Sequence, residues 1–235
     1  MKINLQNYRQ EFDHWIKAFD PFVDHASKSA LPQLHSRLED GIDNKRDSFI
    51  WELKKPVTTI VAKSYDKKEE SASHPIRIDW KFKSVFERCE DTKKKKIWSV
   101  EEMCTHFSIK DASCGDEIMH FHVDLKNDKQ LGPHVHFQFS EEYMEKNVGV
   151  RLAVPRFPLA TVLPTDCMDF VLSEFFPHRW PQSQSGAHGL KNLREAQRKR
   201  LENMAMAVAT LWVKNPNRTP VSITQDYHIP DFVVA

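Results

Sequence analysis

Met119-His120-Phe121-His122-Val123-Asp124, followed after a polar gap by Gly132-Pro133-His134-Val135-His136-Phe137-Gln138-Phe139, decides the fold of this 235-residue chain. Its period is two, so successive side chains point to opposite faces of a sheet. Met119, Phe121, Val123 and Leu125 share one face with Val135, Phe137 and Phe139. His120, His122 and Asp124 share the other with His134, His136 and Gln138. The gap between the runs carries Asn127, Asp128 and Gly132, residues suited to a hairpin loop. Two antiparallel strands are therefore predicted, over residues 117–125 and 134–140, with an apolar core face and a histidine face.

With His122 opposite His134, His120 falls opposite His136, and directly opposed Cβ atoms lie ~5 Å apart. Four imidazoles then form a square with the Asp124 carboxylate beside it. Two chemistries use such a square. Neutral imidazoles are ligands for Zn²⁺ or Mn²⁺, and a bound ion activates water. Without metal, two histidines of different pKa serve as general acid and general base in phosphodiester cleavage. His120, His122, His134, His136 and Asp124 are the candidate catalytic residues. The four histidines are also the candidate metal ligands. The alternative is a solvated face whose histidines do no chemistry.

Working outward, the period of two recurs upstream. Phe49, Trp51 and Leu53 alternate with polar neighbours, residues 57–65 are β-branched, and Ile76, Ile78, Trp80 and Phe82 alternate with charged residues. A further strand is expected over 148–154. Helical periodicity marks residues 3–19, through Tyr8, Phe12, Trp15, Ile16 and Phe19. Residues 31–40 read as a second helix stopped by Gly41. Ser99 and Glu102 fit a capping box, flanked by Trp98 and Met103 as a staple, which predicts a short helix over 99–107. Thr165 or Asp166 caps a helix running to 176. A long helix covers 190–213, with Leu190, Leu193, Leu201, Met204, Val208 and Leu211 as its apolar face. The tail from 221 can add a short edge strand. The expected fold is one α+β domain: a largely antiparallel sheet of about six strands, with an N-terminal helix and C-terminal helices on one face. Residues 1–163 form the sheet part. Residues 164–235 form a helical part on the same core.

Composition removes several function classes. There are only 6 glycines, and none makes a dinucleotide fingerprint, a P-loop or a nucleophile elbow. NAD, FAD and ATP chemistry by those routes is excluded. Lys+Arg is 34 against Asp+Glu 33, so any basic surface is local. No run of 18 apolar residues occurs, so no transmembrane helix is expected. The charged N-terminus is not a signal peptide, which makes the expected location cytoplasmic. The 4 cysteines, Cys89, Cys104, Cys114 and Cys167, form no C-x-x-C pair and read as reduced, buried thiols. Cys167 lies near a helix N-terminus but among apolar neighbours, and reads as core.

Two further features bear on function. Between residues 178 and 218 eight Lys or Arg face two Glu. Lys191, Arg194, Arg198, Lys199 and Arg200 cluster there, as a helix that tracks phosphates would require. Nucleic acid or a partner protein is the expected ligand of that face. The triplets Glu52-Leu53-Lys54 and Asp79-Trp80-Lys81, the latter with Asp66 upstream, match a nuclease pattern. Six such triplets occur, as expected by chance at 29% charged residues, so cross-strand ion pairing is the simpler reading. The resulting expectation is a hydrolase of a phosphodiester, nucleotide or nucleic acid, of a bacterial defence or toxin-like kind, using the histidine face. The alternative is a non-catalytic binding module with structural histidines and a basic recognition helix.

Overall fold

The computed structural model describes residues 2–44, 46–63, 75–89, 97–125, 134–140, 145, 156–158, 163–180, 188–218 and 233–234. The chain is an α+β domain. Its strands are β1 (Lys2–Asn4), β2 (Ser48–Glu52), β3 (Val57–Thr58), β4 (Ala62–Lys63), β5 (Pro75–Arg88), β6 (Ile97–Asp111), β7 (Glu117–Asp124), β8 (His134–Phe139), β9 (Arg156–Pro158) and β10 (Val233–Val234). The helices are α1 (Leu5–Phe19), α2 (Ala30–Asp43), α3 (Pro164–Phe175) and α4 (His188–Lys214). Among the described residues ten strands make one sheet, and five of them are only two or three residues long. The predicted strand at 148–154 lies outside the described residues.

The long antiparallel pair β5–β6 is the spine. β2, β3 and β4 line the free edge of β5 end to end. β6 is flanked on its other edge by β1 and then β7, from which β8 and β9 continue. Every pairing is antiparallel except β1 with β10, the short edge strand expected from the tail.

One face of this sheet is apolar because β5 alternates without a break: Ile76, Ile78, Trp80, Phe82, Ser84 and Phe86 all point inward. α1 lies on that face. Its Trp15 packs 5.2 Å from Trp80 and its Phe12 5.0 Å from Trp51, ring centre to ring centre. Truncating a buried ring of this size to Ala costs about 3–5 kcal/mol. Trp51 also donates from Nε1 to the Leu34 carbonyl at 3.0 Å, tying α2 to β2. α3 joins the same core through Met168, Val171 and Leu172, and α4 through Leu193. Arg200 of α4 is buried and reaches Glu11 of α1 through a two-pronged ion pair at 2.7 and 2.8 Å, and Asp166 of α3 as well.

Two sequence expectations are corrected. Residues 99–107 form no helix, because β6 runs straight through them. A β-bulge explains the misreading: Val85 pairs with Glu102 and Phe86 with Val100, leaving Glu101 as an extra residue. Inward residues are therefore Trp98 and Val100 before the bulge, and Met103, Thr105 and Phe107 after it. The step of three at the bulge imitates helical spacing. Ser99 and Glu102 cap nothing, and the Ser99 hydroxyl donates to Glu101 instead.

Gly41 does not stop α2, which continues to Asp43. The missing Cβ serves packing: an added Cβ would overlap the Phe49 ring, which is held between Phe86 and Trp98. Gly41→Ala sets a helix-propensity gain of about 1 kcal/mol against overpacking that costs about 1–3 kcal/mol. Because the ring cannot retreat, the net effect is expected to be destabilising by about 1–2 kcal/mol. A urea unfolding midpoint equal to or above that of the parent protein would contradict this packing role.

Candidate metal centre on the histidine face

Strand pairing carries three rows of residues across the outer face of the sheet. Lys81 of β5 stands opposite His106 of β6, His106 opposite His122 of β7, His122 opposite His136 of β8, and His136 opposite Arg156 of β9. In the row on one side, Cys104 stands opposite Asp124, and Asp124 opposite His134. On the other side, Ser108 stands opposite His120, and His120 opposite Gln138. The parity read from the sequence holds, but the hairpin register is shifted by two residues from the expected one. His122 meets His136 rather than His134, and His120 meets Gln138. The His134 side chain lies outside the described residues.

The four-histidine square is thus replaced by a different cluster. His106 joins it from β6, and its ring centre lies 4.5 Å from that of His122 and 5.3 Å from that of His120. His120 and His122 are 5.0 Å apart, and His122 stacks on His136 at 4.8 Å. The donor atoms of His106, His120 and His122 all lie within 4.8 Å of one another. So do those of Cys104, His122 and Asp124. His136 Nε2 lies 3.5 Å from Asp124 Oδ2.

His106 was missed in the sequence because a helix reading of 99–107 concealed its strand. The signal was there: Met103, Thr105, Phe107 and Ile109 alternate with Cys104, His106, Ser108 and Lys110. Glu117 was missed for a similar reason. It lies three positions before His120, which in a regular strand would put it on the opposite face. A second bulge, at Ile118, turns it round, so that it pairs with Lys110 on the histidine face.

Glu117 fixes the chemistry of His120. Burial acts to raise its carboxyl pKa, but hydrogen bonds with Ser108 and His120 outweigh burial and leave it below the ordinary value. An ionised carboxylate only accepts, so His120 Nδ1, 2.6 Å from Oε1, carries the proton. In the neutral ring this leaves the Nε2 lone pair for a ligand, the arrangement of a carboxylate–histidine–metal triad. His106 and His122 are kept neutral by their setting. Burial, then the charge of His106, His136 and His120, pulls His122 down to about 4. Burial and His120 lower His106. Cys104 is pushed up to about 12 by burial and by its hydrogen bond with Asp124, so it is a thiol at neutral pH.

The remaining sequence candidates sit elsewhere. α4 packs on α1, on the other side of the sheet from the histidines. Its basic residues do not border the cluster. Arg200, 4% exposed, is consumed by Glu11 and Asp166 and is closed to phosphate. Arg194 pairs with Asp169 and also donates to Gln197. Arg198 lies near Glu202 at 3.6 Å, and Lys191 and Lys199 are exposed. Asp79 accepts from Thr58 and pairs with Lys110, the cross-strand pairing that its triplet suggested. Asp66 lies outside the described residues. Of the four free cysteines only Cys167 is buried; Cys114 is exposed and the other two are intermediate. Burial lifts the Cys167 thiol well above its ordinary pKa, which suits packing rather than nucleophilic attack. No described helix is long and apolar enough to cross a membrane. No family model matches the chain, and no curated protein or solved structure is significantly similar to it.

The depressed histidines give a stability prediction. His106 and His122 take up protons less readily folded than unfolded, where the ordinary value is 6.5. The unfolded chain therefore binds more protons below that pH. Their contribution is fully present above pH 6.5 and is lost as pH falls toward about 4. Replacing both by Gln is expected to remove about one to two protons from the uptake on unfolding in that window. Urea unfolding across pH reads this out; parallel pH profiles for parent and double variant would contradict it.

Proposed function

We propose that the protein is a hydrolase of a phosphodiester, nucleotide or nucleic acid, whose working centre is a divalent metal ion held by His106, His120 and His122. The observation that carries the proposal is the convergence of three imidazoles from two adjacent strands, one of them oriented by Glu117. Tetrahedral ligands with bonds of ~2.0–2.1 Å lie about 3.3 Å apart. Small rotations of the three rings bring their donors, now within 4.8 Å, to that spacing. Zn²⁺ suits an imidazole set best, and Mn²⁺ is the alternative.

Three protein ligands leave a fourth position for water, whose pKa a bound ion lowers toward 7. Lys81, exposed at one end of the histidine row, gives an anionic substrate a cation beside the centre. His106 and His122 suit a metal better than metal-free acid catalysis, which needs a protonated imidazole. Burial and mutual repulsion hold His106 and His122 neutral.

The second reading is a non-catalytic module that binds nucleic acid or a partner protein through α4. Its support is the exposure of Lys191, Arg198 and Lys199 on the helical side.

The test is hydrolysis of an activated phosphodiester, RNA and DNA by protein stripped with chelator and then reloaded. The parent protein is expected to lose at least ~100-fold in rate on stripping and to recover with Zn²⁺ or Mn²⁺. His106→Ala is expected to stay inactive at the same metal concentration, and Glu117→Gln to bind metal ~10–100-fold more weakly. No cleavage of any of the three substrates by the metal-loaded parent protein would overturn the hydrolase reading. Nucleic-acid binding lost in a Lys191→Ala, Lys199→Ala variant would then favour the second.

A further inference from the structure

We infer that the histidine face holds a second cation position, formed by Cys104, Asp124 and His122, beside the three-histidine position and sharing the His122 ring with it. The inference rests on the metal reading above and extends it from one ion to two. β6 and β7 set Cys104 directly opposite Asp124, one row along from the His106–His122 pair. The thiol, carboxylate and imidazole donors lie within 4.8 Å of one another, as close as those of the first set. His136, 3.5 Å from Asp124, stands ready as a fourth donor. The two sets overlap only at His122, at the centre of the cluster, with ring neighbours on both sides.

An imidazole carries two nitrogens on opposite edges of its ring, and each can hold one ion once the ring has lost its N–H proton. Filling the second position thus releases two protons, one from the Cys104 thiol and one from His122. Both are replaced by metal bonds, so no charge is left unpaired. The donors also differ in kind. The first set is all nitrogen, whereas the second combines thiolate, carboxylate and imidazole, which selects Zn²⁺ or Co²⁺ over Mg²⁺, Ca²⁺ or Mn²⁺. Lys83, opposite Cys104, is engaged by Glu102 at 2.9 Å, so its ammonium is drawn away from the incoming ion.

The experiment is a Co²⁺ titration of the full-length apoprotein, followed by visible absorption and by metal content after desalting. The parent protein is expected to retain two equivalents, with a thiolate-to-cobalt charge-transfer band. Cys104→Ser is expected to retain one equivalent, keep the visible bands of nitrogen-bound cobalt, and lose the charge-transfer band. Asp124→Asn, which leaves the thiol in place, is expected to weaken the second equivalent and not the first. One equivalent in the parent protein without the charge-transfer band overturns the second position and leaves the three-histidine centre standing; one equivalent with the band puts the single ion on the thiolate set and overturns the two-ion arrangement and the three-histidine centre. No retained cobalt overturns both. An unchanged two-equivalent titration in Cys104→Ser and Asp124→Asn places the second ion elsewhere and overturns the assignment.

Discussion

Everything on the histidine face depends on the β6–β7 ladder and on the two bulges that set its parity. A strand has only two faces, and each extra residue exchanges them. The bulge at Glu101 turns Cys104, His106 and Ser108 outward while Thr105 and Phe107 turn inward. The bulge at Ile118 brings Glu117 to the same side as His120. Without the first, β6 would lay His106 against the aromatic core. Without the second, His120 would have no carboxylate to fix its tautomer. Core and cluster are therefore two consequences of one backbone arrangement, and neither can change register alone.

That arrangement also sets the electrostatics. Side chains from three adjacent strands bury one another's imidazoles partway, and partial burial of like groups disfavours charge on any of them. His106 and His122 resist protonation for this reason, which leaves their nitrogen lone pairs available to a metal. The helical layer behind the sheet contributes rigidity rather than ligands. Two of its arginines are spent within it: Arg200 holds Glu11 and Asp166, and Arg194 holds Asp169.

The sequence was legible wherever its period was unbroken. The alternation through β5, β7 and β8 revealed both the sheet and the outward parity of His120, His122 and His136. The helical spacing of Tyr8, Phe12 and Trp15 revealed α1. It misled wherever a local irregularity imitated another rule. The bulge in β6 copied a capping box and a helical step, and with it His106 disappeared from view. Register was illegible because parity allows any even shift, and the loop between β7 and β8 does not choose among them. Charge was legible only as a count. Basic residues on α4 summed to a patch in one dimension, whereas in three dimensions Arg200 points into the protein and the helix lies behind the sheet. Nothing in the spacing distinguished an arginine that meets solvent from one that meets a buried glutamate.

The central claim is that His106, His120 and His122 converge on one ion. Anomalous diffraction at the zinc edge from crystals grown with Zn²⁺ tests it directly. The account predicts an anomalous peak bonded to a nitrogen of each of the three rings at ~2.0–2.1 Å, with Glu117 still on His120 Nδ1. Zinc found only on surface carboxylates, with the three rings turned away from a common point, would contradict it.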